Sequence, residues 1–103
     1  MANKQQVPKI DTIKDGVFAI IGTVNFDTVP KLCKFGYDFI DQYTELTLDL
    51  AKAEILDNSG LALLLTWLRY AKQHDKHIEF INAPQKLIGM AKLGGLGSWF
   101  PIK

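Results

Sequence analysis

The fold of this chain is decided by one stretch, residues 44–65, which reads TELTLDLAKAEILDNSGLALLL. From Thr44 to Leu50, leucine alternates with polar residues, and this period of two predicts a strand with one buried face. Residues 51–58 are predicted to form a connecting loop. Apolar residues then recur at a spacing near 3.6, which predicts a helix from Ser59 to about Asp75. A strand followed by an amphipathic helix is the repeating unit of an α/β fold.

A hairpin is predicted on the N-terminal side of this stretch. Ile10–Ile13 and Val17–Ile21 flank the pair Asp15-Gly16. An Asp-Gly pair between two β-branched runs indicates a tight turn, because glycine reaches positive φ without strain. The second strand of the hairpin is predicted to end at Gly22-Thr23.

The remaining segments alternate between helix and strand. Asp27-Thr28-Val29-Pro30 offers a cap and a first-turn proline, which predicts a helix from there to about Gln42. His77–Asn82 is predicted to be a strand. A third helix is predicted to begin at Pro84 and to stop at Gly94-Gly95, since glycine commonly ends helices.

The predicted order β-β-α-β-α-β-α indicates one α/β domain over residues 1–103. Its sheet is expected to be mixed, with an N-terminal antiparallel hairpin and then parallel strands, covered by about three helices. Residues 1–8 are expected to be a flexible N-terminus. Residues 96–103 are expected to pack on the domain as a tail, because Trp99, Phe100 and Ile102 make them apolar.

Charge and cysteine content exclude several classes of function. The 12 basic and 11 acidic residues are spread along the chain, whereas a nucleic-acid binder presents a basic face, so nucleic acid is not an expected partner. With Cys33 alone, neither an intrachain disulfide nor a cysteine zinc site can form. The longest near-apolar run, Leu61–Leu68, is far shorter than the roughly 20 residues of a membrane span. The residues after Met1 contain no apolar segment of the kind found in secretory signals, so a cytoplasmic location is expected.

Motifs for catalysis or cofactor binding are not found in the sequence. There is no phosphate-binding Gly-x-x-x-x-Gly-Lys-Ser/Thr loop, no Gly-x-Gly-x-x-Gly after a strand and no Gly-x-Ser-x-Gly elbow. His74 and His77 have a spacing seen in metal sites, but one ends a helix, the other starts a strand, and no third ligand is near them. We therefore expect no enzyme activity, no cofactor and no metal.

The junction Asp57-Asn58-Ser59-Gly60 is the first feature with two interpretations. Asn58 or Ser59 could cap the second helix by accepting a backbone N–H. Alternatively, the hydroxyl of Ser59 could accept a phosphoryl group, because the positive end of the helix dipole and its free N–H groups tolerate the added charge. Gly60 is expected to keep the approach to that hydroxyl open.

The predicted second helix carries more apolar residues than one buried face needs. One stripe is expected to pack on the sheet, and it consists of Leu61, Leu64, Leu65, Leu68 and Ala71 or Lys72. A second stripe contains Leu63, Trp67 and Tyr70, where a monomer normally turns polar groups outward. This stripe is either buried under another element of the same chain, such as the aromatic tail, or is a docking site for a partner. Trp and Tyr are enriched at the centres of interfaces, which favours docking.

With these residues the chain resembles the STAS family, whose fold is shared by anti-sigma-factor antagonists and related regulators. The resemblance covers nearly the whole order of elements and is strongest in Leu48-Asp49-Leu50 and in residues 56–65. In the family an Asp-Ser-Ser-Gly-like loop precedes the second helix, and the serine before the glycine is the phosphoacceptor of anti-sigma antagonists. Ser59 occupies that position, and Asn58 replaces the preceding serine.

A closer similarity is to the STAS subunit of the Mla phospholipid-transport ABC systems of Gram-negative bacteria. It lies in Gly60–Leu65, Tyr70–Gln73 and Met90–Leu93. That subunit binds the cytoplasmic ATPase subunit through the loop and second helix, supports its activity, and so helps to maintain outer-membrane lipid asymmetry. It usually carries threonine after the loop aspartate, where this chain has Asn58.

The resemblance implies a non-enzymatic interaction subunit whose partner is an ABC-transporter ATPase. The residues expected to bind that partner are Asn58, Ser59, Leu63, Trp67 and Tyr70. The alternative is an anti-sigma-factor antagonist, with an anti-sigma kinase as partner and Ser59 as phosphoacceptor. In that case the added charge would break partner binding by repulsion.

Overall fold

A computed structural model describes residues 8–96 as five strands and three helices. In chain order they are β1 Lys9–Lys14, β2 Val17–Val24, α1 Val29–Gln42, β3 Glu45–Asp49, β4 Ala53–Ile55, α2 Asn58–Gln73, β5 His77–Ile81 and α3 Gln85–Leu93. The predicted flexible N-terminus and packed tail lie outside the described residues, apart from Pro8 and Leu96. Leu96 packs against the core.

The sheet is mixed, as the sequence predicts. β1 and β2 are antiparallel and are joined by a turn in which Gly16 has a φ of 77°. Glycine adopts this left-handed conformation without strain, which explains the Asp15-Gly16 signal. β3 pairs parallel with β2, and β5 pairs parallel with β3, so the strands lie in the order β1-β2-β3-β5. The predicted fold class is confirmed.

The segment predicted to be a loop before the second helix contains a strand, β4. β2 does not end at Gly22 but continues to Val24, and its last three residues pair parallel with Ala53–Ile55. Gly22 has a φ of 113°, and its N–H donates to the carbonyl of Lys52 at 3.1 Å. β2 therefore exchanges one partner, β3, for the next, β4, at this glycine. A strand of three residues is too short for its alternation to be recognised in the sequence.

The helices cover one face of the sheet. Alternate residues of β2, β3 and β5 point toward the helices and are buried, and they are Phe18, Ile20, Leu46, Leu48, Ile78 and Phe80. On the opposite face Thr47, Asp49 and Glu79 are partly exposed. Right-handed crossovers along β2, β3 and β5 place α1 and α2 on the same side of the sheet.

The loops that lead into α1 and α2 are neighbours in space. β2 and β4 end side by side, with Val24 opposite Ile55, and the N–H of Leu56 donates to the carbonyl of Val24 at 3.0 Å. The first turn of α2 therefore lies next to the β2–α1 loop. In the part of the chain that the structure describes, no helix has both the length and the apolar character needed to cross a membrane.

Candidate partner-binding site

Helix α2 is capped by Asp57, not by Asn58 or Ser59. The backbone of Asp57 is extended, and its Oδ1 accepts the N–H of Ser59 at 3.0 Å. The hydroxyl of Ser59 donates to the same oxygen. The two residues predicted as caps are thus the first two residues of the helix. The aspartate accepts a first-turn N–H that has no carbonyl partner within the helix. Asn58 is exposed and Ser59 is half-buried.

Gly60 does not lie on the exposed side of this turn, contrary to the expectation that it keeps the approach to Ser59 open. It is buried, and a Cβ at this position would lie 2.7 Å from Cγ2 of Ile55 and 3.4 Å from Cγ1 of Val24. Glycine therefore lets the first turn of α2 rest directly on the ends of β4 and β2. This packing turns Asn58 outward.

The β2–α1 loop, residues 25–28, forms the other side of the site. Asn25 is buried, and its Oδ1 accepts the N–H groups of Asp27 and Thr28 at 2.9 and 3.1 Å. The hydroxyl oxygen of Thr28 accepts the N–H of Asn25 at 3.0 Å. These bonds close a tight turn, since asparagine readily bonds the backbone two residues ahead. The turn leaves Phe26 at its outer corner with 82% of its surface exposed.

Phe26 is the residue that sequence reasoning missed. Together with Val29 and Pro30 it lines one side of a surface groove of about 610 Å³, and Asn58, Ser59 and Ala62 line the other. The available signal was a phenylalanine inside a polar strand-to-helix connection, Val-Asn-Phe-Asp-Thr, which has no place on a buried stripe. An exposed aromatic side chain beside polar groups is typical of a protein docking surface.

One carboxylate connects the two sides of the groove. Oδ2 of Asp57 accepts the N–H of Phe26 at 3.3 Å, across 31 positions of sequence. The hydrogen bond from the Ser59 hydroxyl holds the pKa of Asp57 below its ordinary value of 3.8, helped by the backbone N–H groups of Ser59 and Phe26 and by the charge of Lys86. Asp57 is therefore ionised at neutral pH and acts as an acceptor only.

Leu63 and Trp67 are not on a free surface, so the expectation that they present an exposed docking face is wrong. Each is only 2% exposed. The indole of Trp67 lies against Gly36 of α1, and its N–H donates to the carbonyl of Cys33 at 3.2 Å. Of the two interpretations of the second stripe, burial under another element of the chain is correct. The element that lies against Trp67 is α1, and the aromatic residues of the tail lie outside the described residues.

Tyr70 is half-buried at the far end of the same contact between helices. Its hydroxyl donates to Oδ1 of Asp41 at 2.7 Å, and this bond raises the pKa of Tyr70. Its ring lies against Tyr37 and His74, with centroids 4.4 and 4.1 Å away. Twelve residues of helix separate Tyr70 from Asn58, or about 18 Å. The residues predicted as one partner-binding set are therefore distributed over a surface turn, a buried interface and a distant edge.

Comparisons with known proteins agree with this architecture. The family model described as "Mlab, STAS domain" matches residues 12–101. A chain of the Acinetobacter MlaFEDB complex, in its ATP-bound Vtrans2 conformation, superposes with a TM-score of 0.77 at 21% identity, covering 96% of this chain and 98% of that one. No curated protein matches the chain by sequence.

Two anti-sigma-factor antagonists have the same fold. The protein from Mycobacterium paratuberculosis has a TM-score of 0.74 at 21% identity, covering 92% of this chain and 82% of that one. The antagonist SpoIIAA, in its unphosphorylated form, has a TM-score of 0.70 at 17% identity, covering 93% and 87%. Because the family model extends over most of the chain and these structures share its fold, the chain belongs to the STAS domain family.

Proposed function

We propose that this chain is a non-enzymatic interaction subunit that binds and supports the ATPase of an ABC phospholipid-transport system, one that maintains outer-membrane lipid asymmetry. In this role it would act at the cytoplasmic side of the membrane. The proposal is supported by the family match and by the similarity to a chain of the Acinetobacter MlaFEDB complex.

The observation that carries the proposal is the exposed ring of Phe26 beside Asn58 and Ser59. Transferring a phenylalanine side chain from water into a partner's pocket is worth about 1.5–3 kcal/mol. The amide of Asn58 and the hydroxyl of Ser59 add donors and acceptors next to that ring. An apolar anchor with polar neighbours is the arrangement in which a few residues dominate binding energy.

We propose direct contacts to the ATPase by Phe26, Asn58 and Ser59. Trp67 supports this surface from inside, because it holds α2 against α1, and Leu63 is buried in the core. Tyr70 lies about 18 Å along the helix from Asn58, and whether it also contacts the ATPase stays a prediction.

Co-purification with the ATPase of the same transport system tests this proposal. Phe26→Ala should weaken the complex by more than about tenfold, as expected for a central interface residue. Phe35→Ala is the matched control, because Phe35 is also an exposed phenylalanine, 43% exposed, but lies on the outer face of α1. The proposal is wrong if the wild-type chain does not bind the ATPase, or if Phe26→Ala binds it as tightly as Phe35→Ala does.

The second candidate function is an anti-sigma-factor antagonist that is switched by phosphorylation of Ser59. It is favoured by the position of the Ser59 hydroxyl, half-buried at the groove and at the start of α2, and by the fold shared with SpoIIAA. A phosphoryl group there would lie beside the ionised Asp57 and would repel it.

Mass spectrometry after incubation with an anti-sigma kinase and ATP decides between the two functions. Addition of one phosphoryl group to the wild-type chain, with none on Ser59→Ala, would support the antagonist. A folded chain that stays unmodified while it binds the ATPase would support the transport subunit.

A further inference from the structure

We propose that Asp57 is a positioning residue that couples the state of the Ser59 hydroxyl to the Phe26 loop. The inference rests on the proposed function, because it concerns how the same docking surface is arranged. It adds a route by which an event at Ser59 changes the presentation of Phe26, which lies 33 positions earlier in the sequence.

The two oxygens of the Asp57 carboxylate have different partners. Oδ1 accepts the hydroxyl and the backbone N–H of Ser59, whereas Oδ2 accepts the N–H of Phe26 at 3.3 Å. A carboxylate is a rigid planar group, so a rotation that changes the first set of bonds also changes the second. Residues that share one hydrogen-bonded group in this way are energetically coupled.

The rest of the β2–α1 loop does not depend on this carboxylate. The side chain of Asn25 holds the N–H groups of Asp27 and Thr28, and Thr28 bonds back to Asn25 and to the carbonyl of Thr23 at 3.0 Å. Loss of the Asp57 bond would therefore release the N–H of Phe26 while the turn remains closed. The effect is confined to the residue that presents the aromatic ring.

Two kinds of event at Ser59 would act through Asp57. A phosphoryl group adds about −1.5 to −2 charges and repels the ionised carboxylate. A partner that accepts a hydrogen bond from the Ser59 hydroxyl takes that bond away from Oδ1 of Asp57. The carboxylate is then free to move closer to the N–H of Phe26. Since coupling is reciprocal, fixing Phe26 in a partner also changes the affinity of Ser59 for its own ligand.

The test is solvent exchange of the Phe26 amide, measured by NMR on the free chain and therefore without any partner. Asp57→Asn retains an oxygen that can cap α2, but its NH2 group then faces the N–H of Phe26 and cannot accept it. Ser59→Asp keeps the carboxylate of Asp57 and places a second negative charge beside it. Both variants should accelerate solvent exchange of the Phe26 amide by about fivefold, because this is the change expected when one ordinary hydrogen bond is lost.

Thr66→Ala is the matched control, because it removes a hydroxyl from the same helix, one that donates to the carbonyl of Ala62. It should leave exchange at Phe26 unchanged. The amide of Leu50 reports global unfolding in every variant, because its N–H donates to the carbonyl of Ile81 at 3.0 Å and its side chain is fully buried. The coupling is disproved if exchange at Phe26 in Asp57→Asn or Ser59→Asp equals that of Thr66→Ala while the amide of Leu50 stays protected.

This experiment and the co-purification fail independently. If exchange responds but Phe26→Ala still binds the ATPase fully, the proposed function is wrong and the coupling stands. If the ATPase complex depends on Phe26 but exchange does not respond, the docking surface stands and the coupling is wrong.

Discussion

The middle and the start of helix α2 have different surroundings. In its middle, Leu63 and Trp67 are buried, and the indole of Trp67 lies against Gly36 of α1. At its start, Asn58 and Ser59 face a groove whose other wall carries Phe26, and that ring is exposed. The comparison of these two regions shows that an extra apolar stripe predicts a surface that another element must bury. Whether the chain or a partner provides that cover depends on the neighbouring element.

Gly36 is the reason that α1 can cover the stripe. A Cβ on this residue would lie 2.2–2.4 Å from three atoms of the Trp67 indole, so only glycine allows the helix and the ring to meet. The β2–α1 loop offers no such recess to Phe26, because the bonds of Asn25 close the turn beneath it. The buried stripe stabilises the fold, and the exposed ring is available for binding.

The largest expected difference is in the free energy of unfolding, between Trp67→Ala and Phe26→Ala. Removing the buried indole should lower the free energy of unfolding by about 3–5 kcal/mol, whereas removing the exposed ring should change it by less than about 0.5 kcal/mol. Urea denaturation measures both values. Trp67→Phe, which keeps a ring but loses the bond to Cys33, should fall between them. Equal losses for Trp67→Ala and Phe26→Ala would contradict the contrast between the two environments.

Gly36→Ala sharpens the same contrast from the side of α1. The added methyl group cannot fit against Trp67, and overpacking of this kind lowers stability by about 1–3 kcal/mol. Gly89→Ala in α3 is the matched control, because a Cβ there meets nothing within 4 Å. That substitution should stabilise the chain by up to about 1 kcal/mol through helix propensity. Thermal unfolding compares the pair, and a stabilising Gly36→Ala would show that the helices can move apart.

A smaller, pH-dependent effect is expected at the start of α2. Because the pKa of Asp57 is lowered in the folded chain, its ionised form stabilises the fold. This contribution is present above its ordinary value of 3.8 and is lost as the pH falls through the lower, folded pKa. The stability difference between wild type and Asp57→Asn should therefore narrow below pH 3.8 when unfolding is followed by circular dichroism. If the stability difference between wild type and Asp57→Asn did not change with pH, the hydrogen bonds to the Asp57 carboxylate would be contradicted.

The smallest effect is expected at the opposite end of α2. Asp75 has a φ of 58°, and the N–H of Lys76 donates to the carbonyl of Ala71 at 2.8 Å, which closes the helix through a left-handed residue. Asp75→Gly removes a left-handed strain of about 1–2 kcal/mol, and the conformational entropy of glycine offsets about 0.5–1 kcal/mol of this, so stability should rise by about 0.5–1 kcal/mol. Asp15→Gly, at a turn residue without a positive φ, is the control and should not stabilise the chain. Chemical denaturation measures both, and a destabilising Asp75→Gly would contradict the strain.

Much of the fold was predictable because its signals are local. The alternation around Leu46 and Leu48, the Asp15-Gly16 turn and the helix periodicities each depend on residues close in sequence. β4 was missed because three residues carry too little alternation. Its place in the sheet is determined by pairing with the end of β2.

The site was predictable only in part. Asn58 and Ser59 were predicted as partner-binding residues from the junction before the helix and from the STAS resemblance, and they lie beside the groove. For Leu63 and Trp67, burial and docking were both open, and docking was favoured because nothing in the sequence reveals that Gly36 opens a recess for the indole. Phe26 was missed because an aromatic residue in a loop can be either buried or exposed. The outcome depends on the bond from its N–H to Asp57 and on the bonds from Asp27 and Thr28 to Asn25.

The sequence alone determined the order of the elements apart from β4, the hairpin and the apolar faces, because hydrophobic period and turn chemistry act over a few residues. Only the tertiary structure decided which apolar face is covered by the chain and which ring remains exposed. That decision requires contacts between residues some 30 positions apart, Gly36 with Trp67 and Phe26 with Asp57. Such contacts depend on how the helices and loops pack, which no local pattern encodes.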